Sequence, residues 1–247
     1  TPETMRVVAR AKKVWDAYAA LPLKGRAEVA LVVDPQSARL VNDRSPIVGK
    51  IFQGTRNTLN RLGAPFEVYS FNDLPRADLS AVKMLVFPGT FELTAEKRTV
   101  LDRHVLKDGR SAVFVYAPGI SDGKTLDPAR IQALTGTPFK TPGVSEVVRE
   151  GWTAVYVDAY EALTPQVLRR LAVRAGVTIY CDDAVPVYAN ERLVAIHMAK
   201  GGERTITLPK SCREVKELYT GRVIPVADKK FRYTFATPDT ALFEMIP

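Results

Sequence analysis

Cysteine and histidine are both scarce in this sequence, which has two of each among 247 residues. Cys181 and Cys212 lie far apart in the chain, so they indicate neither a disulfide framework nor a zinc site. His104 and His197 are isolated as well and complete no set of metal ligands. Cys181 ends an apolar run and is predicted to be a buried free thiol. The inventory therefore predicts no metal and no cofactor.

Long apolar segments are also missing. No run approaches the roughly 20 residues that a membrane-spanning helix needs, and the first residues form a charged, helix-like segment instead of a secretory leader. The sequence predicts a soluble protein without a membrane partner. A low cysteine count is compatible with a cytoplasmic or a secreted bacterial location, so the compartment stays open.

Acidic residues are outnumbered by basic ones, and the formal net charge is +8. Such a charge favours anionic surfaces, and nucleic acid is the first partner to consider. The basic residues are spread along the chain in pairs and do not form one block interleaved with aromatic residues. The pattern is typical of solvated helix and strand faces, and it disfavours nucleic acid as a partner.

The first 183 residues alternate between helical and strand patterns. Apolar residues at helical spacing predict helices, and short buried runs that stop at turn residues predict strands. Helices are predicted at residues 2–20, 47–62, 94–106, 128–134 and 164–175, and strands at 28–33, 66–71, 82–87, 111–119, 151–157 and 177–181. This alternation predicts an α/β fold, with a mostly parallel sheet and helices on both faces.

The strand predicted at 111–119 is the centre of this region. It stops at Pro118-Gly119, and the preceding strand stops at Pro88-Gly89. Parallel strands end in this way at ligand-binding crevices. In one large group of α/β enzymes, the residue just past such a strand is a nucleophile on a tight turn. Here that position is predicted to fall on Ala117, whose methyl group has no nucleophilic chemistry.

After residue 183 the pattern changes to short alternating strands separated by turn signals, with no helical pattern of any length. This predicts a small antiparallel β-sandwich. The chain is therefore divided into a linker helix at 1–25, an α/β domain at 26–183 and an all-β domain at 184–247.

Several segments together resemble the C-terminal part of beta-galactosidase-like glycoside hydrolases, family 42 and its relatives. The resemblance extends over nearly the whole chain, and its motifs are mostly structural. They are residues 28–37 (EVALVVDPQS), 62–66 (LGAPF), 73–74 (DL), 115–119 (VYAPG), 168–172 (LRRLA), 175–180 (AGVTIY), 188–190 (YAN), 195–197 (AIH), 202–209 (GERTITLP), 218–221 (LYTG) and 240–243 (TALF).

The resemblance implies a flavodoxin-like domain related to class I glutamine amidotransferases and called the trimerization domain, followed by a β domain. In that family a (β/α)8 barrel precedes both and carries the catalytic carboxylates. Such a barrel needs about 250 residues, for which there is no room here. The implied partners are an upstream catalytic barrel, if present, other copies in a homo-oligomer such as a trimer, and carbohydrate.

Catalytic chemistry has little support in the residues themselves. A retaining glycosidase needs two carboxylates about 5 Å apart, but acidic residues in strand-end loops are usually caps and turn formers. An amidotransferase would need a cysteine where Ala117 stands, together with a histidine. Neither histidine belongs to a His-x-Glu or similar pair. No catalytic residue is therefore predicted.

A weaker hypothesis places a carbohydrate or small-ligand crevice at the strand ends, where an aromatic face would lie beside hydrogen-bonding side chains. Its candidates are Asp34, Ser37, Thr90, Phe91, Ser121 and Asp122.

Three functions remain as hypotheses. The first is a non-catalytic accessory and oligomerisation module of a glycoside-hydrolase-like protein. The second is a hydrolase with its site near Pro88-Gly89 and Pro118-Gly119, and the third is a carbohydrate-binding module.

Overall fold

A computed structural model describes residues 2–21, 24–42 and 44–247. Parts of the predicted linker helix, residues 1, 22 and 23, lie outside the described residues. The helices are α1 (Pro2–Tyr18), α2 (Pro35–Ala38), α3 (Pro46–Val48), α4 (Gly54–Leu59), α5 (Ala95–His104), α6 (Ala129–Thr135) and α7 (Pro165–Arg174). In the part of the chain that is described, no helix combines the length and apolar character needed to cross a membrane.

Six strands form the first sheet. They are β1 (Val29–Val33), β2 (Phe66–Ser70), β3 (Met84–Pro88), β4 (Arg110–Val115), β5 (Val144–Arg149) and β6 (Trp152–Val157). Their order is β2-β1-β3-β4-β6-β5, and every pair is parallel except β5 with β6. The chain reverses its direction of winding between β1 and β3, so this gap is the topological switch point of the sheet.

The two faces of this sheet bury alternate residues of the same strands. On β1, Val29 and Leu31 belong to one hydrophobic cluster, whereas Ala30 and Val32 belong to another. The first cluster includes residues of α4 and α7, and the second includes Leu101 of α5. This alternation follows from the two-residue period of a strand. It agrees with the prediction of a mostly parallel sheet covered by helices on both faces.

Seven strands follow in the last part of the chain. They are β7 (Val187–Ala189), β8 (Leu193–Met198), β9 (Gly202–Thr207), β10 (Glu214–Glu217), β11 (Val223–Pro225), β12 (Lys230–Phe235) and β13 (Asp239–Ile246). Five form an antiparallel sheet in the order β11-β10-β13-β8-β7, and β12 pairs with β9 as a separate ribbon. The Phe231 and Tyr233 rings of the ribbon lie 4.9 and 5.0 Å from Phe243 of the sheet, in edge-to-face contact. We call residues 184–247 the β unit.

One predicted strand is wrong. Residues 177–181 form no strand, because their backbone donors bond to groups outside a sheet. The N–H groups of Tyr180 and Cys181 both donate to the carbonyl of Gly63, at 2.9 and 3.1 Å. Thr178 N donates to the carboxylate of Glu28 at 2.5 Å, and the carbonyl of Tyr180 accepts from Thr207 of the β unit. This segment is therefore a connector between the two parts of the chain.

Two further elements differ from the sequence prediction. Strand β5 was not predicted, because its alternating polar residues carry no buried run; it is an edge strand with a half-exposed pattern. The helix predicted at 47–62 is broken into α3, a π-helical turn at Gly49–Gln53 and α4, and it ends at Leu59. Tyr160 packs against Gly54, where a Cβ would lie 2.4 Å from its ring.

Helix α1 lies against the β unit and is anchored by its last residue. The hydroxyl of Tyr18 donates to Glu244 Oε2 at 2.5 Å, and Arg192 Nη2 lies 2.5 Å from Oε1 of the same carboxylate. The Arg192 guanidinium also lies 5.6 Å from the centre of the Tyr18 ring. Most described side chains of α1 are nonetheless exposed to solvent, so this cluster is a principal attachment of the helix.

The pKa shifts of this anchor define its pH range. Burial and the hydrogen bond to Glu244 raise the pKa of Tyr18 to about 12. Burial alone would raise the pKa of Glu244, but the Tyr18 hydroxyl and the Arg192 guanidinium lower it overall. Because the pKa of Glu244 is lowered, the carboxylate stabilises the anchor at pH values above about 4.3, the ordinary glutamate pKa. This stabilisation is lost as the pH falls through the lowered pKa. The raised tyrosine pKa stabilises it below about pH 10 and is lost as pH rises toward 12.

Replacing the anchoring hydroxyl should release α1. A hydrogen bond to a charged group contributes about 1.5 kcal/mol or more, so Tyr18→Phe should raise the detached fraction of α1 by about tenfold. Trypsin cleavage at Arg10 and Lys13, followed by mass spectrometry at pH 7, would measure it. The control is Tyr188→Phe, because Tyr188 is 64% exposed. Equal cleavage rates in the two variants would contradict the anchoring role.

Candidate functional site

The carboxyl ends of β1, β3 and β4 meet at the switch point, where the six crevice candidates were predicted. Asp34 follows β1 directly and caps α2, accepting a hydrogen bond from Gln36 N at 3.1 Å. Ser37, on α2, donates from its hydroxyl to Asp34 Oδ2 at 2.6 Å. Both side chains are fully buried. The sequence placed Asp34 correctly at the strand end, and the structure brings it together with Ser37.

The ammonium of Lys97 completes this arrangement, on a side chain that is 12% exposed. Lys97 Nζ of α5 lies 2.9 Å from Asp34 Oδ2 and 3.2 Å from Glu92 Oε1. It also lies 5.6 Å from the centre of the Phe71 ring, within cation–π range. Two carboxylates therefore meet across one ammonium, which forms an ion pair with each of them. Neither is positioned as a free acid or nucleophile of a glycosidase pair, which needs two carboxyl groups facing a sugar.

The remaining candidates lie on the loops after β3 and β4. Ser121 bonds through its backbone to Phe91 and Leu93, and its hydroxyl accepts from Gly123 N at 3.0 Å. Asp122 is occupied in its own turn by Lys124 N and Thr125 N, at 2.9 and 2.8 Å. These backbone bonds hold the pKa of Asp122 below its usual value. Both residues serve the local loop geometry.

Thr90 and Phe91 are buried directly after β3. The Thr90 hydroxyl has no hydrogen-bond partner among the described residues. The Phe91 ring makes an edge contact with Tyr116, at 6.1 Å between centres, and Tyr116 makes a second with Phe139, also at 6.1 Å. The six predicted residues thus share one edge of the sheet, but most of their polar atoms bond to one another or to the backbone. As ligand contacts they remain a prediction.

The strained turn after β4 is one residue earlier than predicted. Strand β4 ends at Val115, and Tyr116 has a φ of 75°. The prediction assigned this position to Ala117, which does not have a positive φ. The N–H of Tyr116 donates to the carbonyl of Val157 at 2.8 Å, in the last pairing between β4 and β6. Left-handed backbone is costly for a bulky residue and often marks a functional turn.

Sequence reasoning missed Lys97 and Tyr116. Lys97 falls at the start of a predicted helix, and its sequence neighbours do not show that Asp34 is close in space. The only available signal was a lysine in the first turn of α5, where the positive helix end disfavours a cation. In the described part of the chain, no group of three His, Cys, Asp or Glu side chains is arranged to hold a metal ion.

Removing the shared ammonium should destabilise the protein. Lys97→Met leaves the buried Asp34 carboxylate without a cation, which should lower the free energy of unfolding by about 3 kcal/mol. Urea denaturation followed by circular dichroism would measure this. Arg98→Met is the matched control on the same helix, because the Arg98–Asp102 pair is exposed and should contribute under about 1 kcal/mol. A loss no larger than the control's would contradict this role for Lys97.

Because the backbone at Tyr116 is strained, we expect the glycine variant at this position to be more stable than the alanine variant, the reverse of the usual order. Both Tyr116→Gly and Tyr116→Ala lose the ring contacts, but only glycine adopts a positive φ without steric cost. We expect Tyr116→Gly to be more stable than Tyr116→Ala by about 1 kcal/mol. At Ala117 the usual order should hold, so Ala117→Gly should be less stable than the parent. Thermal unfolding of the variants would test both orders. A higher melting temperature for Tyr116→Ala than for Tyr116→Gly would refute the strain.

Comparison with known proteins adds a structural likeness only. No protein-family model and no curated protein matches the sequence. Among solved structures, a beta-galactosidase from Bacillus circulans sp. alkalophilus is similar with a TM-score of 0.62 at 15% identity, over 91% of this chain and 42% of that one. A catalytic mutant of a GH42 beta-galactosidase from G. stearothermophilus gives a TM-score of 0.62 at 14% identity, over 90% of this chain and 40% of that one.

A beta-galactosidase from the haloarchaeon Halorubrum lacusprofundi gives a TM-score of 0.56 at 16% identity, over 93% of this chain and 41% of that one. The chain therefore spans about two-fifths of the length of these proteins. At such identities the likeness concerns the fold: a mixed α/β part with a parallel-rich sheet, followed by antiparallel β structure.

Proposed function

We propose that this chain is a non-catalytic accessory and assembly module of a beta-galactosidase-like glycoside hydrolase, acting in carbohydrate metabolism. The observation that carries the proposal is the asymmetry of the structural likeness. It covers about nine-tenths of this chain and about two-fifths of the beta-galactosidases. A chain that is similar to only part of an enzyme is expected to perform a partial role.

The order of the parallel strands supports a flavodoxin-like, amidotransferase-related interpretation of residues 26–183. Strands β2-β1-β3-β4-β6 follow the order of the doubly wound flavodoxin type, with the antiparallel β5 added at one edge. The place that a nucleophilic cysteine would take in an amidotransferase is held by Tyr116, packed between two phenylalanine rings. This favours a scaffold role, with residues 184–247 as a second, all-β domain.

Exposed apolar residues on one side of α1 support an assembly role. Val14 and Tyr18 are half-buried toward the protein, whereas Met5, Val8 and Trp15 are 67%, 54% and 70% exposed. These three lie at i, i+3 and i+10, and so share one side of the helix. An exposed apolar stripe of this kind marks a contact surface. We assign it to other copies of the chain in a trimer, beside which an upstream catalytic barrel would sit.

The alternatives have less support. A hydrolase at the strand ends would rely on carboxylates that are already paired with Lys97. A carbohydrate site at the same edge would use Phe91, which is buried, and hydroxyls that are mostly engaged. Hydrolysis of a chromogenic galactoside by the chain, persisting after repeated purification, would favour the enzyme over the accessory module.

The assembly role predicts a mass above that of one 27.3 kDa chain. We expect size-exclusion chromatography with light scattering to give a trimer at micromolar concentration, and Trp15→Ser to shift it toward monomer by about tenfold in concentration. Leu126→Ser is the control, because Leu126 is 74% exposed and lies outside α1. A parent protein that stays monomeric at 100-fold higher concentration (about 2.7 kcal/mol of mass action) would refute self-assembly.

A further inference from the structure

A cavity of about 560 Å³ lies between α1 and the β unit, away from the strand ends. This volume is within the range of small-molecule sites. Val7, Arg10 and Ala11 of α1 line one side, and residues of four strands and their turns line the other. The apolar part of the β-unit wall comes from Tyr219, Tyr233 and Pro238. Neither the assembly role nor the crevice hypothesis uses this cavity.

The floor of the cavity is a pair of residues on neighbouring strands. His197 of β8 stands opposite Thr240 of β13 in the antiparallel register. The His197 ring nitrogen Nδ1 and Thr240 Oγ1 are 2.8 Å apart. This bond fixes the imidazole and leaves Nε2 to bond elsewhere. Because the tautomer follows the direction of the Thr240 bond, Nε2 can serve as donor or acceptor.

Glu217 is a positioning residue of the wall. Its buried carboxylate accepts from Tyr219 N at 3.1 Å through Oε1, and from Thr220 N and Oγ1 at 2.7 and 2.6 Å through Oε2. Leu242 N lies 3.5 Å from Oε1 as well. A carboxylate has about four acceptor positions, so Glu217 has none left for a ligand. Its function is to hold the turn that carries Tyr219.

Tyr233, the other tyrosine that lines the cavity, is held in place by contacts with aromatic rings. The Tyr233 ring lies 4.8 Å from Phe235 and 5.0 Å from Phe243, both in edge-to-face geometry. Burial raises the pKa of Tyr233, so its hydroxyl is protonated at neutral pH and able to donate. Asp239 accepts from Ala236 N at 3.1 Å through Oδ2, which leaves Oδ1 for another donor.

These groups define the ligand class. The lining offers one guanidinium from Arg10, one carboxylate oxygen from Asp239, one imidazole nitrogen and two phenols, against aromatic walls. The carboxylates of Asp239 and Glu217 outweigh the single cation, which disfavours an anion. Sugar hydroxyls both donate and accept, and the C–H face of a sugar ring is attracted to the negative face of an aromatic ring. We infer that this cavity binds a neutral saccharide, held by Asp239, His197 and Arg10 against Tyr219 and Tyr233.

The two histidines make the inference directly testable. Histidine side-chain NMR of the full chain resolves His197 in the cavity and His104 at the end of α5 as an internal reference. We expect a Kd of about 1 mM, so each of lactose, cellobiose and maltose would be titrated to a concentration of about 10 mM. Binding should shift the His197 resonances and leave those of His104 in place. The variants His197→Ala and His104→Ala assign the signals. No shift of His197 with any of the three sugars, or equal shifts of both histidines, would overturn the inference.

A wall variant locates the bound sugar. Tyr219→Ala removes the aromatic ring but keeps the backbone N–H that donates to Glu217. This variant should lower the affinity for the sugar that shifts His197 by about tenfold or more. Tyr188→Ala, at an exposed tyrosine of β7, should leave the affinity unchanged. Equal affinities in the two variants would place the sugar outside this cavity. Both measurements are independent of oligomeric mass, so a monomeric chain would refute the assembly role alone.

Discussion

The two salt bridges of Lys97, one to Asp34 and one to Glu92, are the interaction on which the C-terminal edge of the parallel sheet depends. Asp34 is fully buried, and an isolated buried charge is too costly to persist. Lys97 and the hydroxyl of Ser37 remove that cost together. Ser37 also accepts from Glu92 N at 2.8 Å, so the loop after β3 is tied to α2. One charge cluster therefore joins β1, the β3 loop and α5 at the switch point.

The same cluster disfavours a catalytic carboxylate pair at this edge. A catalytic pair needs two carboxyl groups with different protonation behaviour facing a substrate. Here the carboxylates share a cation and face each other across it. The cavity beneath α1 also offers groups with unused bonding capacity, since His197 and Asp239 lie there on neighbouring strands of the β unit. The architecture separates a structural joint from a candidate binding surface.

Much of the fold was predictable from local patterns. Alternating and buried runs predicted β1, β3 and the short antiparallel strands after residue 183, since their periodicity reports directly on burial. Strand β5 and the connector at 177–181 were not predictable in this way. The first is polar on an exposed edge, and the second is apolar but bonds to Gly63 and Glu28 instead of a neighbouring strand. The site was harder still, because Lys97 and Asp34 are 63 residues apart. Only the folded chain brings them together.

The connector has a consequence for how far such a chain can diverge. Much of its attachment uses main-chain atoms: one carbonyl, that of Gly63, accepts from two successive N–H groups, and the Tyr180 carbonyl accepts from the β unit. Every amino acid except proline supplies these donors, so most of these positions can change without loss of the bonds. Two positions are exceptions. Glu28 contributes its side-chain carboxylate, and at Gly63 a Cβ would lie 2.0 Å from the Cys181 carbonyl. The junction between the two parts of the chain therefore depends on few side-chain identities.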